Sequence, residues 1–367
     1  MHQAPAVLAA LVGRLGGPRG LLASEPWQRL LAGTDRLLWA ACGSSRHAGF
    51  LGKVALAALA DVPSQVEEAH ELMSLGAAVW REQKLCVALS QSGETQDTLE
   101  AQTLAAEHAV PVLSVANVAD STLMRRADHR LPLEAGEERA VPATKSFLAQ
   151  GAACLLLAGA IGRARAPGAE GARAKARAQI EADLAALPGR LESLYAALAP
   201  GGSRRGAMEA ATQLCASRRQ TVFVGRGANV PIVQEAALKL QESAYLPARA
   251  FALGEIKHGP MAMLEPGLDC LVAVVGPDEP PRARAGVERL LAVGLPGIVV
   301  AAEGDPLGPA LLGRANGGVL LELPRLSPLA WPLLAAAALQ RLSLDCAAAR
   351  GTSVDQPRYL VKQILTV

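Results

Sequence analysis

The sequence predicts an α/β protein made of two tandem doubly wound parallel-sheet domains and a C-terminal tail. Hydrophobic residues make up 51% of the 367 residues and aromatic residues only 3%, which is typical of helices packed closely on parallel sheets. Short apolar runs alternate with helical patterns along the chain. Two stretches, 35–49 and 220–233, also share one plan, in which an apolar strand leads through small turn residues into a helix.

The first half continues this alternation after its opening strand. We expect a helix at 47–60, a strand at 85–90, a helix from about 95 to 108, a strand at 110–117 and a long helix from about 143 to 162. Strands that alternate with helices favour right-handed crossovers and a parallel sheet. The first domain is therefore predicted to span 35–162, behind an N-terminal helical segment at 1–34.

The second half repeats the pattern. Strands are predicted at 268–275, 297–303 and 317–324, with helices at about 281–293 and 328–349, so a second domain spans 206–349. Between the domains, 163–205 mixes charged helical pieces with Pro and Gly and is predicted to be a helical connector, with an exposed basic helix at 163–177. Residues 350–367 form a tail that is too short for a further domain.

Composition argues against several classes of protein. The net charge is +2 and the basic residues are scattered, so no nucleic-acid surface is expected. Six cysteines without a CxxC pair indicate reduced, buried thiols in a cytoplasmic protein and no structural metal site. No leader is expected, and the longest uncharged run, which ends before Arg163, is too short to span a bilayer and indicates a buried helix.

One acidic row lies in the unit from Gly225 to Pro260. Glu235, Lys239 and Glu242 stand at i, i+4 and i+7, so a helix over 231–245 places them on one face. Such a row is usually a solvated face. Here it follows an apolar strand and the glycine turn GRG, the usual ligand-binding corner of open α/β sheets, which favours a row that moves protons beside a pocket.

A serine-rich loop, SQSGETQDT at 90–98, follows a predicted strand and opens a helix. Four hydroxyls and the backbone N–H groups of a helix N-terminus can hold an anion there. A plain capping box from Ser92 and Thr95 is the alternative. The CGSS turn at 42–45 ends the preceding strand, so Ser45 is expected to reach the same anion.

Together, SQSGETQDT, CGSS, GRG with QEAALKLQE, GEIKHGP and VDQPRYLVK resemble the double sugar isomerase (SIS) domain family. They are similar to the isomerase half of glucosamine-6-phosphate synthase and to the stand-alone glucosamine-6-phosphate deaminases. The resemblance covers about residues 35–367 and implies two flavodoxin-like domains. It also implies a phosphorylated amino sugar or ketose as substrate, no metal or organic cofactor, and a homodimer with a shared active site.

The resemblance assigns a role to each matching residue. It implies that Glu242 is the base that moves a proton between sugar carbons 1 and 2, that His258 is supplied by the partner subunit for ring opening, and that Lys362 forms a Schiff base with the open-chain ketose. Glu235, Lys239, Lys145 and Ala143 are supporting residues. The residues implied to bind the sugar phosphate are Ser45, Ser90, Gln91, Ser92 and Thr95.

Some positions depart from the synthase pattern. We expect no glutaminase domain, because the chain begins MHQAP, so glutamine is not expected to be its unaided nitrogen source. Pro142 and Ala143 stand where the synthase usually has Ala and Ser, and ATKS is more similar to the deaminases, whereas the tail VDQP is more similar to the synthase. The direction of the reaction therefore stays open.

These observations favour an enzyme that interconverts glucosamine 6-phosphate with fructose 6-phosphate and ammonia, working as a deaminase. The alternatives are a fructosamine-6-phosphate deglycase, an ammonia-dependent isomerase of the synthase type and a non-catalytic sugar-phosphate sensor. Two side chains have open roles. His47 either contacts ligand or faces solvent, and Lys145 either approaches the sugar or pairs with Glu137 or Glu138. Trp39 and Trp331 are expected in the core.

Overall fold

The computed structural model describes residues 1–168, 170–305, 307–312 and 317–361. It contains two parallel five-stranded sheets, one in each half of the chain. Counting strands from the start of each half, both sheets have the order 2-1-3-4-5. This is the flavodoxin-like doubly wound order. The predicted α/β class with two tandem doubly wound parallel sheets is confirmed.

The strands are short, and those in the middle of each sheet are almost entirely buried. Their bounds are β1 Leu37–Ala41, β2 Ser64–Glu68, β3 Leu85–Ser90, β4 Val112–Ala116, β5 His129–Pro132, β6 Gln220–Gly225, β7 Ala248–Ala252, β8 Asp269–Val275, β9 Gly297–Ala302 and β10 Val319–Leu323.

The helices cover the sheets on both sides. Their bounds are α1 Ala4–Leu15, α2 Glu25–Ala32, α3 Gly43–Leu59, α4 Leu72–Leu75, α5 Gln96–Glu107, α6 Thr122–Arg126, α7 Lys145–Arg165, α8 Ala172–Leu198, α9 Arg205–Ala216, α10 Val230–Ala244, α11 Pro281–Leu291, α12 Leu307–Leu312 and α13 Trp331–Arg350.

The apolar runs predicted as strands are confirmed to within a few residues, but three strands had no such prediction. These are β2, β5 and β7, with the sequences SQVEE, HRLP and ARAFA. Each pairs with its sheet on one side only within the described residues, and each keeps partly exposed side chains. Because sheet position rather than an apolar run makes them strands, hydrophobic periodicity could not find them.

The connector differs from the expected string of helical pieces. Residues 172–198 form one helix, α8, which passes through Pro188 without a break. Its apolar side chains at 180, 184, 187, 191 and 194 are buried at helical spacing. The predicted exposed basic helix at 163–177 instead spans the end of α7 and the start of α8, and the buried Arg177 donates to the backbone oxygen of Leu59 at 3.1 Å.

The main core lies between the two sheets. Helices α3 and α7 pack together, as do α10 and α13, and α3 also contacts α10. Trp39 and Trp331 are fully buried there, as predicted. Within the described residues α7 has the length and hydropathy of a membrane span, but 89% of its apolar window is buried inside the protein, as expected for a core helix.

We expect Gly52→Ala to destabilise the protein by about 1–3 kcal/mol, because overpacking a filled core forces strain. A Cβ at Gly52 would lie 2.6 Å from Trp39 Cζ2 and 3.2 Å from Cys154 Cβ. Gly189→Ala in α8 is the matched control, since its Cβ would meet nothing within 4 Å. Urea denaturation should show that this control gains about 0.5–1 kcal/mol. An equal response of the two variants would contradict the close packing at Gly52.

Candidate functional site

Helix α10 begins directly behind the carboxyl end of strand β6. A Cβ on Gly225, the last residue of β6, would lie 2.8 Å from the backbone oxygen of Asn229, so the GRG turn brings strand and helix closer than another residue allows. Pro231 in the first turn is preset for helix geometry. The helix ends where Tyr245 takes a left-handed conformation, with φ 54°. The predicted strand-to-helix unit is confirmed.

The acidic row of α10 is buried rather than solvated. Lys239 Nζ lies 2.6 Å from Glu242 Oε2 and 3.3 Å from Glu235 Oε1. Glu235 is 1% exposed and Lys239 2% exposed, whereas the Glu242 side chain keeps 17% of its surface. One lysine thus joins a fully buried carboxylate to a carboxylate that reaches solvent. The usual interpretation of such a row as a surface feature is wrong here.

Burial and charge shift the pKa values of this row in different directions. For Glu242, burial outweighs the attraction of Lys239 and raises the carboxyl pKa above its ordinary value. For Glu235, burial acts upward, but Lys239 and His47 outweigh it and lower the pKa. For Lys239, burial acts downward, and the two carboxylates nonetheless raise the pKa. The protonation of Glu242 is therefore the most readily changed of the three.

His47 completes the row from the other domain. Its Nδ1 donates to Glu235 Oε2 at 2.8 Å. His47 lies in the first turns of α3 and is 9% exposed, so the expectation that it faces solvent is wrong. The bond spans 188 positions in sequence. No sequence pattern pairs two residues so far apart, which is why this contact was not predicted.

The serine-rich loop is folded by its own hydroxyls. Ser90 Oγ accepts from the Gly93 backbone N–H at 3.0 Å and shares a hydrogen bond of 3.1 Å with the Thr95 hydroxyl. Ser92 Oγ accepts from the Glu94 N–H at 3.1 Å. Gly93 has φ +70° and lies against Ser121, with no room for a Cβ.

The capping-box alternative for this loop is wrong. Thr95 is the residue before α5, and its side chain makes no capping bond. The Ser92 hydroxyl is bonded within the loop instead. The hydroxyls therefore shape the turn rather than cap the helix, and the binding of an anion by this loop stays a prediction.

Ser45 is buried in the first turn of α3, where its Oγ accepts from Gln150 Nε2 of α7 at 2.9 Å. Both side chains lie in the core between the two helices. That Ser45 reaches the same anion as the serine loop stays a prediction.

Two cavities meet near these elements. One of about 550 Å³ is lined by Gln91 and Ser92 of the serine loop, and one of about 990 Å³ is lined by Lys239 and Ser243 of α10. Both are also lined by Glu134 and by residues 136–139. We call this segment, 134–139, the partition. The two sequence motifs therefore face adjoining spaces across one shared wall.

Two buried polar residues hold the partition in place. Asn117, just after β4, accepts from the Ala135 N–H at 2.6 Å and donates to the Gly136 oxygen at 2.8 Å. Glu138 accepts from Thr144 and Ser146 at the start of α7, four bonds of 2.6–3.1 Å. A carboxylate at a helix N-terminus is also favoured by the helix dipole. Neither role was predicted, although Asn117 follows a buried strand at the carboxyl edge.

The remaining supporting residues lie around the larger cavity. Lys145 is buried and lines it, and its Nζ donates to Gln3 Oε1 at 2.6 Å rather than pairing with Glu137 or Glu138. Ala143 is half-buried between two residues of the cavity wall. The ion-pair alternative for Lys145 is wrong, and a position near substrate stays a prediction.

The C-terminal tail reaches the same cavity. Thr352 Oγ1 donates to the Ser243 oxygen at 2.6 Å, and the Asp355 oxygen accepts from the Val141 N–H at 3.3 Å. Val354 and Asp355 line the cavity wall. Lys362, which is predicted to form the Schiff base, lies outside the described residues.

His258 is exposed and lies outside the cavities described above. It follows β7 on an exposed turn, where its backbone N–H donates to the Glu255 oxygen at 2.9 Å, and it lines none of the cavities described above. Supply of this histidine to a neighbouring subunit stays a prediction.

Comparisons with known proteins agree with this arrangement. Residues 30–160 match the model of the SIS domain. Residues 30–160 therefore form a SIS domain. It is 35% identical over 378 residues to the glutamine–fructose-6-phosphate aminotransferase (isomerizing) of Streptomyces coelicolor and 34% identical over 368 residues to that of Pseudomonas aeruginosa. In each case the match covers 99% of this chain and 57% of the relative.

Solved structures of SIS-type proteins have the same fold. The C-terminal domain of glucosamine-fructose-6-phosphate aminotransferase from Francisella tularensis superposes with a TM-score of 0.84 at 28% identity, covering 97% of this chain and 96% of that one. Glucosamine-6-phosphate deaminase from Thermotoga maritima superposes with a TM-score of 0.69 at 17% identity, covering 99% of both chains. The latter likeness concerns the fold alone.

We expect Lys239→Met to cost on the order of 3 kcal/mol of stability, because it removes the cation beside Glu235 and leaves this buried carboxylate with its hydrogen bond to His47. Lys53→Met on the exposed side of α3 is the control and should change stability by less than about 0.5 kcal/mol. The double variant Lys239→Met with Glu235→Gln should recover part of the loss in urea denaturation. A Lys239→Met protein as stable as wild type would contradict the role of this pair.

Proposed function

We propose that this protein interconverts glucosamine 6-phosphate with fructose 6-phosphate and ammonia, and that it works as a deaminase in the cytoplasm. One observation carries the proposal. Glu242 is the partly exposed end of an otherwise buried array, beside a helix face that lines a cavity, and its pKa is raised. A carboxylate in that state can take a proton from one atom and return it to the next.

The serine loop is the proposed site for the sugar phosphate. Its carboxyl-edge position, the helix start at α5 and the hydroxyls of Ser90, Ser92 and Thr95 suit an anion, with Gln91 beside them. Ser45 is proposed to join them from the neighbouring strand end. Binding at the phosphate would hold the sugar while its reacting carbons extend toward α10.

Glu242 is the proposed base for the proton transfer. It takes the proton from carbon 2 of the open-chain amino aldose and returns it to carbon 1, which leaves an imine at carbon 2. Water hydrolyses that imine to the ketone and ammonia. Lys239 stays charged beside Glu242, because both carboxylates raise its pKa, and steadies the ionised form of the base.

Lys362 and His258 are proposed to act at the two other steps. Lys362 would hold the ketose as a Schiff base. In support, the tail that carries Lys362 runs along the cavity as far as Asp355. His258 would open the sugar ring in the partner's site, which requires a homodimer. The exposed turn that carries His258 is available for such a contact.

The amination direction is a second candidate, and the comparisons favour it. The relatives of 34–35% identity are named as aminotransferases, whereas the deaminase of known structure is 17% identical. The same base and phosphate site serve both directions. Free ammonia would then be the nitrogen donor of this chain, and the ammonia concentration would set the direction.

Ammonia release should identify the substrate. We expect release from glucosamine 6-phosphate, and not from a fructosamine 6-phosphate, across a panel of phosphorylated amino sugars. Glu242→Gln should lose about 10²–10⁴-fold in kcat, because the base is gone, and keep its affinity for the sugar phosphate. Glu107→Gln on the exposed end of α5 is the control.

Three outcomes separate the alternatives. Turnover of the fructosamine alone would establish a deglycase, and formation of glucosamine 6-phosphate from fructose 6-phosphate only with excess ammonia would establish the synthase direction. Tight binding without turnover of any substrate would establish a sensor. Normal turnover by Glu242→Gln would remove Glu242 as the base.

Mixing variants should test the shared site. If His258 acts in the neighbouring subunit, heterodimers of His258→Ala and Lys362→Ala contain one site with both residues intact. We expect about one quarter of the wild-type activity at full random exchange, against almost none for either variant alone. No recovery in a mixture whose exchange is verified by native mass spectrometry would contradict subunit sharing.

A further inference from the structure

A second cluster of reactive side chains lies at the carboxyl edge of the first sheet, outside the proposed sugar site. Cys42 Sγ is 3.8 Å from Asp97 Oδ2 and 3.9 Å from His70 Nδ1, and all three atoms lie within 4.8 Å of one another. Cys42 follows β1, His70 lies just after β2, and Asp97 is in the first turn of α5. Three separate chain segments therefore converge there.

The spacing is close to that of a tetrahedral metal site. Zinc bonds of about 2.3 Å to sulfur and about 2.0 Å to nitrogen or oxygen place the ligand atoms about 3.5 Å apart. The two separations from Cys42 Sγ exceed this by about 0.3–0.4 Å, and the His70 and Asp97 ligand atoms lie within 4.8 Å of each other, so side-chain rotation must bring the three atoms closer together. Cys42 and His70 also line a cavity of about 590 Å³, which leaves room for water as a fourth ligand.

The histidine is held in the orientation that a metal needs. His70 Nε2 lies 3.4 Å from Glu68 Oε2 and 3.5 Å from Glu71 Oε1, whereas Nδ1 is on the side of Cys42 Sγ. A proton on Nε2 would leave the Nδ1 lone pair available for a metal ion. Glu68 is itself paired with Arg46 at 3.3 Å. A carboxylate behind a ligating histidine is the usual outer shell of a zinc site.

We propose that Cys42, His70 and Asp97 bind a divalent transition-metal ion of the zinc class. Thiolate and imidazole ligands select zinc and its neighbours over magnesium and calcium, which prefer oxygen ligands alone. The thiolate and the carboxylate balance the charge of the ion. Among the described residues, this is the cluster of Cys, His and acidic groups that suits such an ion.

The ion would connect the two loops assigned above to phosphate binding. Cys42 immediately precedes the first turn of α3, which carries Ser45, and Asp97 lies two residues beyond Thr95. Occupancy would fix the distance between these loops and regulate the affinity for sugar phosphate. Only this regulatory step rests on the proposed function, because metal binding is measured without substrate.

Binding must release the thiol proton. Burial and then the charge of Asp97 raise the pKa of Cys42, so the thiol is protonated at neutral pH before the ion arrives. The exchange is thiol plus metal ion giving metal thiolate plus one proton.

Titration of the full chain with Co²⁺ tests the site, since cobalt replaces zinc and absorbs visibly. We expect one ion per chain, a thiolate-to-cobalt charge-transfer band, and displacement of cobalt by Zn²⁺. Cys42→Ser should abolish the band, and Asp97→Asn and His70→Gln should each weaken binding by at least tenfold. Glu68→Gln should weaken it by about tenfold through the histidine. His108→Gln, an exposed histidine outside the cluster, is the control.

Circular dichroism and urea denaturation of each variant show whether it is folded, and Cys42→Ser is nearly isosteric. A charge-transfer band that persists in Cys42→Ser, or cobalt binding unaffected by all three ligand variants, would overturn the proposal. Binding of cobalt by the wild type without a thiolate band would overturn it as well. These readouts do not depend on turnover, so a failed activity assay and a failed metal titration remain distinct results.

Discussion

The burial of Lys239 between two carboxylates is the constraint on which the rest of the site depends. A charged lysine at 2% exposure is stable only if its partners remain ionised and close. Glu235, on the same helix, is one of these partners. Glu235 is in turn hydrogen-bonded to His47 of the other domain. The charge balance of one helix thus ties the two sheets together and leaves Glu242 as the member of the row that keeps some exposure.

The parallel sheets explain where the candidate site residues lie. Because every strand of a parallel sheet runs the same way, the turns after β1, β3 and β4 all come to one edge. The CGSS turn, the serine loop and Asn117 follow these strands in order. The second sheet repeats the arrangement, and its GRG turn starts the helix that carries the acidic row. The duplicated topology therefore places the serine loop in one half and the helix with the acidic row in the other.

The partition is a wall that the two cavities share. It lines both the cavity of the serine loop and the cavity of α10, and its position depends on Asn117 and Glu138, which contact neither proposed reacting group. The Cys42, His70 and Asp97 cluster lies beside the CGSS turn and the serine loop, since Cys42 directly precedes α3 and Asp97 lies in the first turn of α5.

The sequence alone determined the alternation of buried strands and helices, the duplication and the motifs, since these depend on hydrophobic period and on neighbouring residues. Glu235, Lys239 and Glu242 could be placed on one face because helix spacing is local. Whether that face was solvated was decided only by the tertiary structure, since α3 covers it with His47, 188 positions away. Packing between distant segments also creates the edge strands β2, β5 and β7 and brings Cys42, His70 and Asp97 together. Because no short-range pattern encodes such packing, the sequence did not predict these features.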